Sequence, residues 1–249
     1  MYRSGKIKVV MLCICERGEM MIGCLLIHGY TGGPYELGPL AEYLEEHTDW
    51  HIELPTLPGH GKELHLEDIT YKDWITAAEN TLKQLTSQYD KIYLVGFSMG
   101  GMIAAYLAAK YNVDKLVLLA TAGKYLDFKQ IRTDIHEVIR DGLKGELENN
   151  KLYNHYKKKR GQVPLKANFE FMKLVNYTRS YLKEVDTPVL IAHGQQDGMV
   201  PYKTAYYLDK EIHSSHKKLV LLDNSRHQLC LGDDKDTINV MVHDFLQKG

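Results

Sequence analysis

The chain has 249 residues, of which 44% are hydrophobic and 25% are charged, which is enough to bury the core of one large α/β domain. Its formal net charge of −1 provides no overall field that would attract nucleic acid or an anionic membrane. Composition and charge therefore argue against nucleic acid as a partner and favour a small neutral or weakly charged molecule.

The N-terminal segment has basic residues ahead of the apolar run VVMLCIC, an arrangement that superficially resembles a secretory signal peptide. The run is short, however, and ends in the charged sequence ERGE without a small-residue cleavage site. No apolar stretch approaches the roughly 20 residues of a membrane span. We therefore expect a cytoplasmic protein with no stable insertion into a membrane.

The four cysteines of the chain form no CxxC pair and are not accompanied by histidines at zinc-binding spacing. This pattern indicates neither a metal site nor a thioredoxin-like redox motif. We expect the thiols to act as small buried apolar groups. The residues are Cys13, Cys15, Cys24 and Cys230.

Short apolar runs typical of buried strands alternate with longer segments whose apolar residues recur at helical spacing. The predicted strands cover residues 23–28, 51–54, 91–95, 115–119, 188–192 and 217–222. The predicted helices cover residues 39–46, 71–89, 99–111, 204–213 and 236–246. Continuous Val, Ile and Leu strands separated by helices predict an α/β fold with a doubly wound, mostly parallel sheet that helices cover on both faces.

One region interrupts this alternation, because residues 124–183 contain several helical patches and no convincing strand. Such an interruption is too long for an ordinary loop, so we expect it to form helices of its own as a small cap over one edge of the sheet. Its basic run Lys157–Arg160 is more typical of a solvated helix end than of a nucleic-acid site. The prediction is a single domain over residues 1–249 with a helical cap insertion at about 124–183.

The sequence VGFSMGG places Ser98 between glycines, after one predicted strand and before a predicted helix. A nucleophile elbow needs this order of strand, turn and helix, because the glycines relieve crowding in a tight turn that exposes the hydroxyl. The backbone N–H of Met99 would point into the same space, where the positive end of the helix favours an oxyanion. Ser98 is the predicted nucleophile, and an ordinary turn that contains a serine is the alternative for this segment taken alone.

A serine hydroxyl needs a base that accepts its proton and a carboxylate that orients the base. In proteins built around a nucleophile elbow, the acid follows the serine and the histidine comes last. Asp197 lies in the loop after the strand at residues 188–192, whereas Asp186 precedes that strand and Asp209 lies within a helical pattern. Asp197 is therefore the predicted acid.

Four histidines follow Asp197 in the chain. His213 and His216 precede the last predicted strand, and His243 lies in the pattern of the C-terminal helix. His227 follows the last strand, at the carboxyl end where a base is needed, and it is the predicted base. The joint placement of serine, aspartate and histidine after three different strands carries more weight than any one of them.

The loop HGYTGG follows the first predicted strand, and its glycines allow the backbone to approach a substrate carbonyl. We predict that the backbone N–H of Tyr30 is the second donor of an oxyanion hole, paired with that of Met99. The loop lacks the GK[ST] sequence of a P-loop and the GxGxxG spacing of a dinucleotide site. We expect His28, His60 and His193 to be structural, with His28 hydrogen-bonded to neighbouring loops.

Together, the motifs HGYTGG, LPGHG, GFSMGG, HGQQDGMVP and NSRH resemble the α/β-hydrolase superfamily, and specifically its compact bacterial carboxylesterases and monoacylglycerol lipases. The resemblance covers nearly all of the chain after the N-terminal segment. It implies an α/β-hydrolase fold with the cap after the fifth or sixth core strand, and a Ser-His-Asp esterase that needs no metal or cofactor. It places the nucleophile, acid, base and two oxyanion amides at Ser98, Asp197, His227, Tyr30 and Met99.

The chain departs from the family pattern in two places. Tyr30 stands where the family usually has phenylalanine, which leaves the backbone role intact and changes the polarity of the pocket. The N-terminal sequence KIKVVMLCICERGEMM does not match the family's usual lead-in, so the resemblance does not define the first strands.

The resemblance implies a small-molecule ester substrate, either a short- to medium-chain acyl ester or a monoacylglycerol, and a monomer or homodimer. The candidates for lining the substrate pocket are Tyr30, Phe128, Tyr153 and Met172, although aromatic residues at helical spacing are more often cap core. The alternatives are a receptor-like binding protein with slow turnover, a thioesterase, a C–C hydrolase or a perhydrolase, since one fold hosts all of these functions.

Overall fold

A computed structural model describes residues 20–124 and 163–248. Six strands form one sheet: β1 (Ile22–Ile27), β2 (His51–Glu53), β3 (Lys91–Phe97), β4 (Lys115–Leu119), β5 (Val189–Gly194) and β6 (Lys217–Leu222). The helices are α1 (Gly38–His47), α2 (Tyr71–Thr86), α3 (Met99–Lys110), α4 (Leu165–Arg179), α5 (Lys203–Glu211) and α6 (Lys235–Gln247). Every predicted strand and helix is confirmed, and the largest difference is at α2, which ends at Thr86 rather than at residue 89.

The order of strands in the sheet is β2-β1-β3-β4-β5-β6, and every described pair of neighbours is parallel. β1 and β3 pair from Ile22 with Lys91 to Ile27 with Gly96, so the two strands end side by side. The strand order reverses here, because β2 and β3 lie on opposite sides of β1. In open parallel sheets, ligand sites lie at the carboxyl ends of the strands beside such a reversal.

Alternate residues of each strand enter two separate apolar layers. Leu25 and Ile27 of β1 pack in the layer formed with α2, α3, α4 and α5. Cys24 and Leu26 pack in the layer formed with α1 and α6. Burial on both faces explains why the strands are continuous apolar runs, and it confirms the predicted doubly wound sheet.

The predicted cap at about 124–183 lies only partly in the described residues, since residues 125–162 lie outside them. In the described part, α4 and a 3-10 helix at Leu182–Glu184 separate β4 from β5. α4 packs on α2 and α3 and contributes Phe171 to the first apolar layer. The cap boundaries, and its place after a fifth or sixth strand counted from the chain start, therefore stay predictions.

Two of the four cysteines lie in the described residues. Cys24 and Cys230 are free and buried, as expected, and burial together with the nearby charge of Glu36 raises the pKa of the Cys230 thiol to about 12. Cys13 and Cys15 lie outside the described residues. Among the helices of residues 20–124 and 163–248, none has the length and apolar character that crossing a membrane requires.

Candidate active site

Ser98 occupies a sharp turn between β3 and α3. Its φ of 54° and ψ of −114° put a non-glycine residue in a left-handed backbone conformation, a strain that costs about 1–3 kcal/mol. A Cβ atom at Gly96 would lie 2.4 Å from the carbonyl oxygen of Gly100, and one at Gly100 would lie 2.0 Å from that of Ile27. The glycines of GFSMGG are therefore required by the packing of the turn as well as by the exposure of the serine.

His227 follows β6 and its ring lies between the serine and the aspartate. Its Nε2 is 3.1 Å from Oγ of Ser98, and its Nδ1 is 2.7 Å from Oδ2 of Asp197. Because the carboxylate accepts a hydrogen from Nδ1, the neutral imidazole leaves Nε2 free to accept the hydroxyl proton of Ser98. The ring is buried and packs against Phe97, with ring centroids 5.0 Å apart. The structure thus brings the three residues together in one hydrogen-bonded chain.

The buried side chain of Asp197 accepts hydrogen bonds with both of its oxygens. Oδ1 accepts the backbone N–H groups of Met199 and Val200, each at 2.8 Å. Oδ2 accepts from His227 and also lies 3.1 Å from Nε2 of His193, which donates to the carbonyl oxygen of Val200 at 2.9 Å. Burial raises the pKa of Asp197, but the two histidines more than offset this and hold it below its ordinary value.

The surroundings of His227 favour its protonated form. Burial lowers the pKa of the imidazole, but the charge of Asp197, the hydrogen bond to it and the charge of Glu36 outweigh burial and raise the pKa above its ordinary value. An imidazolium that forms by proton transfer from Ser98 would therefore be stabilised where it forms.

The loop after β1 lies directly against the start of α3. A Cβ atom at Gly100 would lie 2.5 Å from the carbonyl oxygen of His28, so helix and loop are in contact. Met99 is the first residue of α3, and its N–H is not used by the hydrogen bonds within the helix. Tyr30 follows β1, the neighbour of β3 in the sheet. The two predicted oxyanion amides therefore belong to adjoining segments at the carboxyl edge.

His28 has the structural role predicted for it. Its Nε2 accepts the backbone N–H of Leu57 at 3.0 Å, and its Nδ1 donates to the carbonyl oxygen of Gly29 at 2.9 Å. This pattern fixes one neutral tautomer, with the proton on Nδ1. The ring of His60 packs edge-on against that of His28, with centroids 5.1 Å apart. Both residues hold the loop in place.

The side chain of Tyr30 points toward α4. Its ring stacks on Phe171, with centroids 4.7 Å apart, and its hydroxyl donates to Oδ1 of Asn168 at 2.9 Å. Burial raises the pKa of the Tyr30 hydroxyl, so it stays protonated and acts as a donor. Of the other predicted pocket residues, Met172 is half-buried on α4, and Phe128 and Tyr153 lie outside the described residues.

The alternative acids and bases lie elsewhere. Asp186 is exposed ahead of β5, and Asp209 on α5 forms an ion pair with Lys217 at 3.6 Å. His213 and His216 come before β6 and His243 lies on α6. Within residues 20–124 and 163–248, no group of three or more His, Cys, Asp or Glu side chains could hold a metal ion.

Sequence reasoning missed two residues beside the site. His193 was expected to be only structural, yet it contacts Asp197; its position near the end of β5, four residues ahead of Asp197, was the available signal. Glu36 is almost fully buried and hydrogen-bonds the loop after β1. Nothing in its local sequence distinguishes it from an exposed glutamate.

Comparison with known proteins gives relatives along most of the chain. The family Hydrolase_4, described as "Serine aminopeptidase, S33", matches residues 21–234. The chain is 29% identical over 233 residues to a thermostable monoacylglycerol lipase of Bacillus sp. (strain H-257), which covers 91% of each chain. It is 22% identical over 228 residues to a carboxylesterase of Bacillus subtilis (strain 168), which covers 90% of this chain and 92% of the relative.

Solved structures share the fold. A structure of the metagenome-derived lipolytic enzymes LipS and LipT superposes with a TM-score of 0.75 at 21% identity, covering 92% of this chain and 95% of that one. A monoacylglycerol lipase from Paleococcus ferrophilus gives a TM-score of 0.69 at 16% identity, with coverages of 90% and 93%. The family match extends over most of the chain and the fold agrees, so the protein belongs to the Hydrolase_4 (serine aminopeptidase, S33) family of the α/β-hydrolase superfamily.

Proposed function

We propose that the protein is a serine carboxylesterase that hydrolyses short- to medium-chain acyl esters or monoacylglycerols through an acyl-enzyme. The observation that carries the proposal is the hydrogen-bonded chain from Ser98 through His227 to Asp197, which starts at a strained turn between a strand and a helix. Relatives named as a monoacylglycerol lipase and a carboxylesterase support this substrate class.

In the first half-reaction, Oγ of Ser98 attacks the ester carbonyl while Nε2 of His227 takes the hydroxyl proton. The buried carboxylate of Asp197 holds the ring in the required tautomer and stabilises the imidazolium that results. The backbone N–H groups of Tyr30 and Met99 bind the oxyanion of the tetrahedral intermediate. The protonated His227 then donates its proton to the leaving alcohol, and the acyl group remains on the serine.

In the second half-reaction, a water molecule takes the place of the alcohol. His227 removes a proton from the water, the resulting hydroxide attacks the acyl carbonyl, and Ser98 leaves as the free hydroxyl when His227 returns the proton. The raised pKa of His227 fits this exchange, because the imidazole must carry a proton in the middle of each half-reaction.

The other functions considered use the same site. A receptor-like protein would bind an ester or acid and turn it over slowly, and a thioesterase would attack a thioester with the same residues. A C–C hydrolase or a perhydrolase would act on a diketone or on peroxide. The names of the curated relatives favour the oxygen ester.

We further propose a cytoplasmic enzyme that is a monomer or homodimer.

The test is steady-state hydrolysis of p-nitrophenyl esters of increasing acyl chain length, from acetate to palmitate. Wild type, Ser98→Ala and the control Ser215→Ala, which alters an exposed serine, are compared in parallel. We expect multiple turnovers with an optimum at one chain length, loss of activity by at least about a thousandfold in Ser98→Ala, and no change in the control.

Equal rates for wild type and Ser98→Ala would contradict the proposal. A single slow turnover on every ester would favour the receptor-like protein. Inactivity toward all the oxygen esters, together with hydrolysis of an acyl thioester or a diketone, would move the assignment to the corresponding alternative.

A further inference from the structure

The carboxylate of Glu36 joins the two loops that form the proposed site. Glu36 ends the 3-10 helix Pro34–Glu36 and is 2% exposed. Its Oε2 accepts the backbone N–H of Gly29 at 2.9 Å, and its Oε1 accepts a side-chain N–H of Gln228 at 2.9 Å. Gly29 belongs to the loop after β1, and Gln228 directly follows His227. One buried carboxylate therefore contacts both sides of the site.

The loop after β1 is shaped around this carboxylate. A Cβ atom at Gly32 would lie 1.9 Å from Oε2 of Glu36, so any larger residue at this position would collide with the carboxylate. The residue directly before Gly32 in this loop, Thr31, has a φ of 61°, which is unusual for a residue other than glycine. The path of the loop and the position of Glu36 thus depend on each other.

The charge of Glu36 acts on the imidazole of His227. Both oxygens of Glu36 accept N–H donors, which stabilises the ionised form of a carboxyl group. The titratable groups beside His227 and Glu36 in the described part of the chain include Asp197, with His193 behind it, and Cys230. The Cys230 thiol is neutral because its pKa is about 12. Glu36 is therefore a second negative charge, besides Asp197, that favours the imidazolium.

We propose that Glu36 is a positioning residue that fixes the loop carrying Tyr30 against the turn carrying His227 and, by its charge, favours the protonated imidazole. The proposal rests on the proposed function, because it takes His227 as the base. In that reaction Glu36 stabilises the imidazolium that forms as Ser98 attacks. The same charge keeps His227 protonated to higher pH in the free enzyme, so activity at mildly acidic pH is reduced.

The first test is the pH dependence of kcat/KM for p-nitrophenyl ester hydrolysis by wild type, Glu36→Gln and Glu45→Gln. Glu45 is an exposed residue of α1 and serves as the matched control. We expect Glu36→Gln to move the acidic limb to lower pH and to reduce the high-pH plateau by about tenfold. Glu45→Gln should reproduce the wild-type profile. A Glu36→Gln profile that superposes on that of wild type would overturn the proposal.

A second variant separates position from charge. Gln228→Met removes the hydrogen bond to Oε1 but keeps the Glu36 carboxyl group, with its Oε2 still bonded to Gly29, so we expect a lower plateau and a smaller displacement of the acidic limb than in Glu36→Gln. This variant also tests the positioning role if Glu36→Gln does not fold. An unchanged plateau in Gln228→Met would show that the contact does not position the site.

The electrostatic part can be measured without any turnover. NMR titration of the ligand-free protein gives the midpoint for His227, whose signal is identified by its loss in His227→Gln. We expect a lower midpoint in Glu36→Gln than in wild type, and an unchanged midpoint overturns the proposal. If no ester is hydrolysed but the midpoint shifts, the proposed function fails while the influence of Glu36 on His227 stands, so the two failures are distinguishable.

Discussion

The two edges of the sheet use their polar residues in different ways. At the carboxyl edge, four buried ionisable side chains of the proposed site are bonded to one another or to the backbone; they are Glu36, His193, Asp197 and His227. At the amino edge, Asp90 is exposed and Asp114 is half-buried, and they accept the backbone N–H groups of Met21 and Ile92. Asp90 and Asp114 at the amino edge secure strand ends, whereas Glu36 and Asp197 at the carboxyl edge form part of a buried network.

Backbone strain is distributed in the same way. In the described ranges, the non-glycine residues with positive φ are Thr31, Ser98 and Ala120, and all of them follow strands at the carboxyl edge. The amino edge has a surface cavity of about 400 Å³ beside residues 108–113 and the start of β5, without such strain. Backbone strain and a hydrogen-bonded network of buried ionisable groups therefore occur together at the edge that carries the proposed site.

The largest expected difference between the two edges is in kcat, when one aspartate at each edge is replaced by asparagine. Asp197→Asn should lower kcat by about three to four orders of magnitude, because an amide cannot hold His227 in the tautomer that accepts a proton from serine. Asp186→Asn, at an exposed position ahead of β5, should leave kcat unchanged. Steady-state kinetics of the two variants check this, and a loss below about tenfold in Asp197→Asn would contradict the assignment.

The tight turn at the carboxyl edge should tolerate an added methyl group far less well than an open position does. In Gly100→Ala the added Cβ would lie 2.0 Å from the carbonyl oxygen of Ile27, so we expect a loss of about 3 kcal/mol or more in the free energy of unfolding. Gly38→Ala adds a Cβ with no heavy atom within 4 Å, and its effect should stay within about 1 kcal/mol. Urea unfolding measures both variants, and equal losses in the free energy of unfolding would contradict the expected difference between the two positions.

The pH dependence of stability tests the buried network directly. The pKa of His227 is raised above its ordinary value of 6.5 by Asp197 and Glu36 despite burial, so its extra stabilisation is complete below that value and is lost as pH rises through the folded-state pKa. His227→Gln should therefore destabilise the protein more at about pH 5.5 than at about pH 9. Urea unfolding at both pH values gives the comparison, and a larger loss at high pH would reverse the sign.

The contribution of Asp197 to stability depends on pH with the opposite sign. Its pKa is lowered by the two neighbouring histidines, against the effect of burial, so its contribution is present above the ordinary carboxyl pKa and is lost as the pH falls further. For activity, kcat/KM should decline as pH falls through the raised pKa of His227, because only the neutral imidazole can accept the proton of Ser98.

The smallest effect on stability and activity is expected where the side chain of Tyr30 contacts α4, outside the buried network. Tyr30→Phe removes the hydrogen bond to Asn168, which should cost about 1 kcal/mol of stability. Ester hydrolysis should stay within about threefold of wild type, because the backbone N–H remains. A double-mutant cycle with Asn168→Ala measures the coupling. A loss of hydrolysis beyond about tenfold would give the hydroxyl a role in the reaction that this account does not assign.

The sequence predicted the strands and helices because each carries a strong local pattern. The strand at Lys115–Leu119 is continuously apolar after its first residue, and its predicted ends agree with the structure. Ser98, Asp197 and His227 could also be chosen from sequence, because each follows a strand whose carboxyl end faces the same edge of a parallel sheet.

The contacts of Glu36 and His193 could not be predicted from sequence. The partner of Glu36, Gln228, is 192 positions away along the chain, and only the order of the strands brings the two together. The contact of His193 with Asp197 depends on the turn after β5, which also directs Oδ1 of Asp197 to the backbone of Val200. Local periodicity determines elements, whereas these bonds depend on how the elements pack.

Trapping the acyl-enzyme would test directly whether Ser98 is the nucleophile. The protein is mixed with p-nitrophenyl acetate, quenched in acid within the first turnover, and analysed by intact-mass spectrometry and peptide mapping. We predict one added acetyl group on the peptide that contains Ser98, and no such group in Ser98→Ala. An acetyl group on another residue, or full turnover with no acylated protein at any quench time, would contradict this prediction.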